Sequence, residues 1–263
     1  PESVGDGMLV APFNDSDFAE SLIDEHGGDI AGIIVEPLQR LIPPAPGFLE
    51  TLRAKADEHG IVLIFDEVVT GFRLAYGGAQ DAYGVTPDLC TLGKIIGGGM
   101  PLAAIAGREE IMRHFDKSAV GEEDFTFQTG TLSGNPLASI AGLKTLEILR
   151  RPGAYETLYA NGKRLMAAMS DPLTAYGIPH QVVGSPVLFD VVFTGDPVLD
   201  YRDMMKGDAD SAAIFNAAVR EKGILKPGAK LYPHLALTEE DLQQTEAAFA
   251  YAAAQVAAKG NAA

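Results

Sequence analysis

"IVLIFDEVVTGFRLAYGGAQDAYGVTPDLCTLGKIIGGG" runs from Ile61 to Gly99. Its first five residues are apolar and close on two acids, Asp66 and Glu67. A second apolar run, within "DLCTLGK", closes on Lys94 between glycines. Short apolar runs bounded in this way read as strands buried on both faces. "DIAGIIVEP" reads the same way and ends at Glu36-Pro37. Between it and Ile61 lies "GFLETLRAKADEHG", amphipathic, with Phe48, Leu49, Leu52 and Ala56 on one side and Gly60 as its C-cap. Strand, helix, strand at this spacing is a βαβ unit, which builds a parallel sheet. Open parallel sheets bind ligands beyond the carboxyl ends of their strands. Glu36, Asp66, Glu67 and Lys94 therefore share one rim.

The remaining elements follow from the same patterns. Residues 1–15 read as loop and edge strand, with "MLVAPF" as the apolar part. Asp15 or Ser16 caps a helix over Asp17–His26. Pro43, Pro44 and Pro46 stiffen a loop. "DLCTLGK" and "PLAAIAG" are third and fourth strands, and "REEIMRHF" is a short helix. "GTLSGNP" opens a long helix, Pro136 to Arg150, with proline in its first turn. Arg151-Pro152-Gly153 marks a boundary between residues 1–150 and residues 151–263. The second part reads as a small α+β domain: a helix over Ala154–Met169, a strand pair around "HQVVGSPVLFDVVF", a helix over Ala209–Lys222, a strand near "GILKPGAKLYPHL", and an alanine-rich helix from Glu239. The tail "AAKGNAA" reads as frayed.

Acids outnumber bases 36 to 20 among 263 residues, a formal charge of −16. Such a surface repels nucleic acid and anionic membranes. No apolar stretch reaches membrane-spanning length, and no basic-then-apolar leader opens the chain. The single cysteine, Cys90, lies in an apolar run and reads as a core residue. One thiol cannot staple a fold, which points to a reducing, cytoplasmic setting. His26, His59, His114, His180 and His234 show no metal-ligand spacing, so no metal is expected. Lys94 lacks the spacing and following hydroxyl of a P-loop, no G-x-G-x-x-G follows a strand, and "GTLSG" is not a nucleophile elbow.

An acid and an amine on one rim are either a structural ion pair or the walls of a ligand site. Gly93 and Gly97–Gly99 favour the site, because they let backbone approach a ligand and leave the amine uncrowded. Three stretches then carry a resemblance: "IFDEVVTGFR", "GGAQDAYGVTPDLCTLGKIIGGGMP" and "TGTLSGNPLA". Together they resemble the class III aminotransferases of the fold type I family, which use pyridoxal 5′-phosphate. They are most similar to the glutamate-1-semialdehyde 2,1-aminomutase branch.

The resemblance implies an α/β fold. The mainly parallel sheet of the large domain would be incomplete in residues 1–150, with the small α+β domain in residues 151–263. It implies amino-group transfer through a lysine Schiff base, on an amino acid or amino aldehyde. Lys94 matches the lysine that bonds the cofactor aldehyde. Asp66 matches the carboxylate that pairs with the pyridine nitrogen, and Val68 the apolar residue on the ring face. Gly130 and Thr131 match a loop that reaches the cofactor phosphate of the other subunit in a homodimer. Glu36 and Glu67 read as structural, and Arg73 and Tyr76 as more distant supporting groups.

Two departures accompany the match. The family's N-terminal part, with its phosphate loop and ring-stacking aromatic residue, is not in this sequence. It is expected as another chain or as a missing piece, and the fragment alone is expected to be inactive. "LQRLIPP" replaces the Gly plus Glu or Asn that many members carry, which argues against a switching Glu–Arg gate. Arg220 is the last arginine and sits on a predicted helix, so Lys226 and Lys230 are the nearest cations for a substrate carboxylate. The rival expectation is a catalytically inactive homologue acting as a binding or scaffold protein.

Overall fold

The computed structural model describes residue 5 and residues 7–260. Residues 1–4 of the expected N-terminal loop and residues 261–263 of the expected frayed tail lie outside them. The chain forms two compact units. One gathers the residues up to Gln39 and Pro44–Arg150; the other joins Arg40–Pro43 to the chain from Arg151 onward.

The first unit contains α1 (Ser16–His26), β1 (Gly32–Val35), α2 (Phe48–His59), β2 (Val62–Glu67), α3 (Gly78–Tyr83), β3 (Leu89–Leu92), β4 (Ala104–Gly107), α4 (Glu109–Met112), α5 (Lys117–Val120) and α6 (Pro136–Leu149). Asp15 caps α1 by accepting from the Phe18 N–H at 3.0 Å. Gly60 ends α2 in the left-handed conformation, φ +70°, and donates to the Ala56 carbonyl. The sheet order is β1-β2-β3-β4. The first three strands are parallel and β4 is antiparallel. Asp88 ties the amino edge together, accepting from the Leu63 N–H at 2.8 Å, Arg53 Nη1 at 2.9 Å and Arg108 Nη1 at 3.0 Å.

Leu63, Phe65 and Cys90 pack against Ala19 and Ile23 of α1 and Phe48, Leu49, Leu52 and Ala56 of α2. Residues of β2 alternate between half-buried and buried, so Leu63, Phe65 and Glu67 face that core while Ile64 and Asp66 face the other way. The expectation that β1 is buried on both faces is corrected here. Its residues alternate between exposed and half-buried, and Ile34 is 64% exposed. It is the outermost strand of this sheet, and among the described residues helices pack on its Ile33–Val35 face. "MLVAPF" forms no strand either: Met8, Leu9 and Val10 are exposed and pair with no strand among the described residues.

The second unit contains α7 (Ala154–Ala175), β5 (Gln181–Ser185), β6 (Leu188–Val192), α8 (Tyr201–Met204), α9 (Ala209–Glu221) and α10 (Glu239–Gly260). β5 and β6 form an antiparallel hairpin. Leu165, Met169 and Leu173 of α7 share a core with Phe189, Phe215, Phe249 and Ala252. Three expectations change here. α7 continues past Met169 to Ala175, because Pro172 sits in its closing turn and its carbonyl still accepts from the Tyr176 N–H at 3.1 Å. The strand near "GILKPGAKLYPHL" is reduced to one bridge, Phe189 to Leu231, since Pro227 and Gly228 interrupt any ladder. Residues 257–260 of the tail belong to α10. No helix among the described residues is long and apolar enough to cross a membrane.

Candidate functional site

The site is built at the carboxyl ends of β2 and β3. Asp66 pairs in register with Thr91 on the parallel neighbour. The Thr91 hydroxyl donates to Asp66 Oδ1 at 3.2 Å, and the Val68 N–H donates to the same oxygen at 3.0 Å. Asp66 is half-buried, on the face away from the α1–α2 core. One carboxylate oxygen is thus held in place, and the other accepts from no described residue. The Thr91 contact was not foreseen from the sequence. Its signal lies in the register, which pairs a hydroxyl with the acid, and register cannot be read from one strand alone.

Lys94 lies three residues beyond Thr91, no more than about 10 Å of extended chain. It opens a short 3₁₀ turn, Lys94–Gly97, and its side chain is exposed. Its backbone is left-handed, φ +47°. For a residue with a Cβ this costs about 1–3 kcal/mol and persists only when the surroundings impose it. Val68 stands beside this turn: a Cβ added to Gly93 would lie 3.3 Å from Val68 Cγ1. Asp66, Val68 and the Lys94 turn are therefore neighbours, joined through Thr91 and Gly93.

Glu67 points to the opposite face and is 1% exposed. It accepts from the Ala79 N–H at 2.5 Å, Gln80 Nε2 at 2.8 Å and the Thr70 hydroxyl at 3.1 Å. A carboxylate at the start of α3 is where orphan N–H groups and the helix dipole favour one. Gly78, φ +72°, has no room for a side chain against this carboxylate. Cys90 is buried, and burial first, then the nearby Glu67 charge, pushes its thiol pKa up, which suits a core residue and not a nucleophile. Glu36 follows β1, half-buried before Pro37. Tyr76 is engaged elsewhere: Arg150 Nε donates to its hydroxyl at 3.0 Å and the guanidinium lies 5.0 Å from its ring centroid.

Gly130 and Thr131 lie on an exposed loop before α6. The Gly130 carbonyl accepts from the Ser133 N–H at 2.9 Å, closing a turn. Asn135 anchors the loop: its Oδ1 caps α6 at Ala138 N, and its Nδ2 donates to the carbonyls of Leu132 at 2.8 Å and Pro101 at 3.3 Å. No bond joins Gly130 or Thr131 to Asp66, Val68 or Lys94 among the described residues.

Lys226 is not available to a substrate carboxylate. Its amine, 1% exposed, donates to Asp190 Oδ2 at 2.7 Å, Asn216 Oδ1 at 2.8 Å and the Pro227 carbonyl at 3.1 Å. Arg220 lies on α9, as expected. The Arg40 guanidinium lies 5.3 Å from the Tyr201 ring centroid. Asp24, Glu58 and His59 do bring ligand-type atoms within 4.8 Å of one another, a grouping across two helices that sequence spacing hides. Lys55 Nζ already sits among these acids, 2.7 Å from Asp24 and 3.1 Å from Glu58. Hydrogen bonds from Lys55, then from His59, hold the Asp24 carboxyl below its ordinary range.

This donor set fits a pyridine cofactor with an aldehyde. An oriented carboxylate with one open oxygen suits a protonated ring nitrogen, an apolar side chain suits the ring face, and an exposed primary amine suits the aldehyde carbon. The class III aminotransferase family model matches residues 11–252, and the chain belongs to this family. The family depends on pyridoxal 5′-phosphate, and the fold is that of the fold type I enzymes. The chain is 42% identical over 253 residues to glutamate-1-semialdehyde 2,1-aminomutase 2 of Brevibacillus brevis, covering 93% of this chain and 57% of that protein. An omega-transaminase structure from Sphaerobacter thermophilus superposes with a TM-score of 0.90 at 35% identity, covering 97% of this chain and 59% of the other. A structure described as a transaminase with PLP bound gives 0.89 at 29% identity, covering 99% and 60%. The chain thus spans somewhat more than half the length of these relatives.

Proposed function

We propose that this chain supplies the lysine and aspartate side of a pyridoxal-phosphate site that transfers an amino group on a small amino acid or amino aldehyde, as an aminotransferase or an aminomutase. The observation that carries this reading is the pairing of Asp66 with Thr91 on adjacent parallel strands, one carboxylate oxygen held and the other open, with Lys94 at the next turn of the same rim. When bound, the cofactor supplies an electron sink for the pair left behind as the substrate Cα–H bond breaks.

Asp66 would accept the hydrogen bond of the ring N–H and favour the protonated nitrogen; Thr91 and the Val68 N–H keep its carboxylate aimed. Val68 would pack on the ring face. Lys94 Nζ would hold the cofactor through its aldehyde carbon, the aldehyde oxygen leaving as water, and once a substrate amine has taken its place the freed amine would carry the proton from substrate Cα to the cofactor carbon. Arginine could do neither, because it stays charged. Gly130 and Thr131 offer a backbone N–H and a hydroxyl to the phosphate held by the other subunit of a homodimer.

Asp66→Asn tests the assignment, since asparagine preserves the hydrogen bond and removes the countercharge. In purified holoprotein, single-turnover amino transfer is expected to fall by several orders of magnitude while the cofactor stays attached. A rate close to that of the wild type would remove Asp66 from its role.

A further inference from the structure

Lys94 keeps a left-handed backbone, and α6 packs against the turn that contains it. The turn Lys94–Gly97 is closed by the Ile96 N–H donating to the Gly93 carbonyl at 3.3 Å and the Gly98 N–H donating to the Ile95 carbonyl at 3.0 Å. α6 lies directly against this turn, and two glycines make the approach. Gly98 is itself left-handed, φ +57°. A Cβ on it would stand 2.5 Å from the Ala141 carbonyl oxygen and 2.7 Å from Thr145 Oγ1. Gly142, on α6, is closer still: a Cβ there would overlap the Ile96 carbonyl oxygen and touch Leu102 Cδ2 at 3.4 Å.

Gly142 is buried in the middle of a helix, where alanine would be the better helix former. Its contact with Ile96 is a reason for glycine. Helix and turn meet backbone to backbone, with no flexible side chain between them to absorb an added methyl. Any group at position 142 must therefore part helix and turn at the Ile96 carbonyl, which lies two residues from Lys94 in the same closed turn.

We propose that Gly142 is a positioning residue: the absence of its side chain sets the depth of the Lys94 turn, holds Lys94 in its left-handed conformation and fixes where Nζ is delivered. This rests on the reading of Lys94 as the cofactor-bearing lysine. An alanine at 142 pushes the turn outward and lets Lys94 relax. A displacement of about 1 Å at a reacting group costs on the order of 10²-fold in rate.

The test uses purified holoprotein carrying Gly142→Ala. Lys144→Ala serves as the control, an exposed residue on the same helix paired with Glu147. Gly142→Ala is expected to fold and, after borohydride treatment, still to carry the reduced cofactor on Lys94. Its visible absorbance band is expected to titrate at a pH different from the wild type's. Its kcat is expected to fall about 10²-fold with KM little changed, while Lys144→Ala matches the wild type on every count. A folded Gly142→Ala with the wild-type titration and the wild-type kcat overturns the proposal. Should Gly142→Ala not fold, Gly98→Ala presses the same turn against Ala141 and is judged by the same two readouts. Wild-type protein with no cofactor fixed on Lys94 overturns the underlying reading, and this one with it, before any variant is compared.

Discussion

At the scale of single residues, position was more legible than partnership. An acid and an amine at the ends of apolar runs pointed to a rim, and Asp66 and Lys94 are on it. The side on which each acid falls was legible from alternation alone, and Glu67 does face away. What holds each group was not legible. Thr91 reaches Asp66 only through strand register, and Lys226 is absorbed by Asp190, which lies 36 positions away in the chain. That pair carries its own prediction. Lys226→Met leaves a carboxylate that is 4% exposed with no cation, and unfolding is expected to become easier by about 3–5 kcal/mol at neutral pH. Burial already raises the Asp190 carboxyl pKa in spite of Lys226, and removing the amine raises it further. A carboxyl raised in the folded state stabilises most below its unfolded value and loses that contribution as pH rises through the folded value. The deficit should therefore be smaller in acid than at neutrality. Denaturant titrations at the two pH values read it, and an equal deficit at both would contradict the account.

At the scale of elements, helices were bounded well by their caps and strands by their apolar runs. Errors fell where a local signal competes with tertiary context. The helix expected over Ala154–Met169 runs on past Pro172, whose carbonyl still accepts in its last turn. An apolar run reads as doubly covered, yet Ile34 of β1 is open, since a run of isoleucine and valine does not say which faces have neighbours. Asp208 shows what a cap contributes. It accepts from the backbone N–H groups of Asp210 at 3.0 Å and Ser211 at 3.3 Å, and from the Ser211 hydroxyl at 2.6 Å. The Ser211 hydroxyl, then its N–H, bring the carboxyl down from the ordinary 3.8 to about 2. A lowered carboxyl contributes its stability above the unfolded value and loses it as pH falls through the folded one, so this contribution fades between pH 3.8 and about 2. Asp208→Ala is expected to cost about 1 kcal/mol at neutral pH. It should also flatten that part of the acid-unfolding curve; a curve parallel to the wild type's would count against the cap.

At the scale of the whole molecule, the proposed homodimer is the part least readable from one chain. Leu137, Ile140 and Leu143 of α6 are 68%, 64% and 65% exposed and follow the Gly130–Thr131 loop in sequence. An apolar face of this kind is normally covered in an assembly. Subunit mixing tests the shared site. Lys94→Ala and Thr131→Trp homodimers should each be inactive. If the loop serves the other subunit, a hybrid of the two regains one intact site and measurable turnover; if each subunit serves itself, mixing restores nothing. The central claim is the covalent one, that Lys94 is the cofactor-bearing residue. Borohydride reduction of the holoprotein followed by peptide mass mapping tests it most directly. The account predicts a single pyridoxyl-modified peptide with the modification on Lys94. A modification on another lysine, or a protein that binds and reduces no cofactor as a scaffold homologue would, contradicts it.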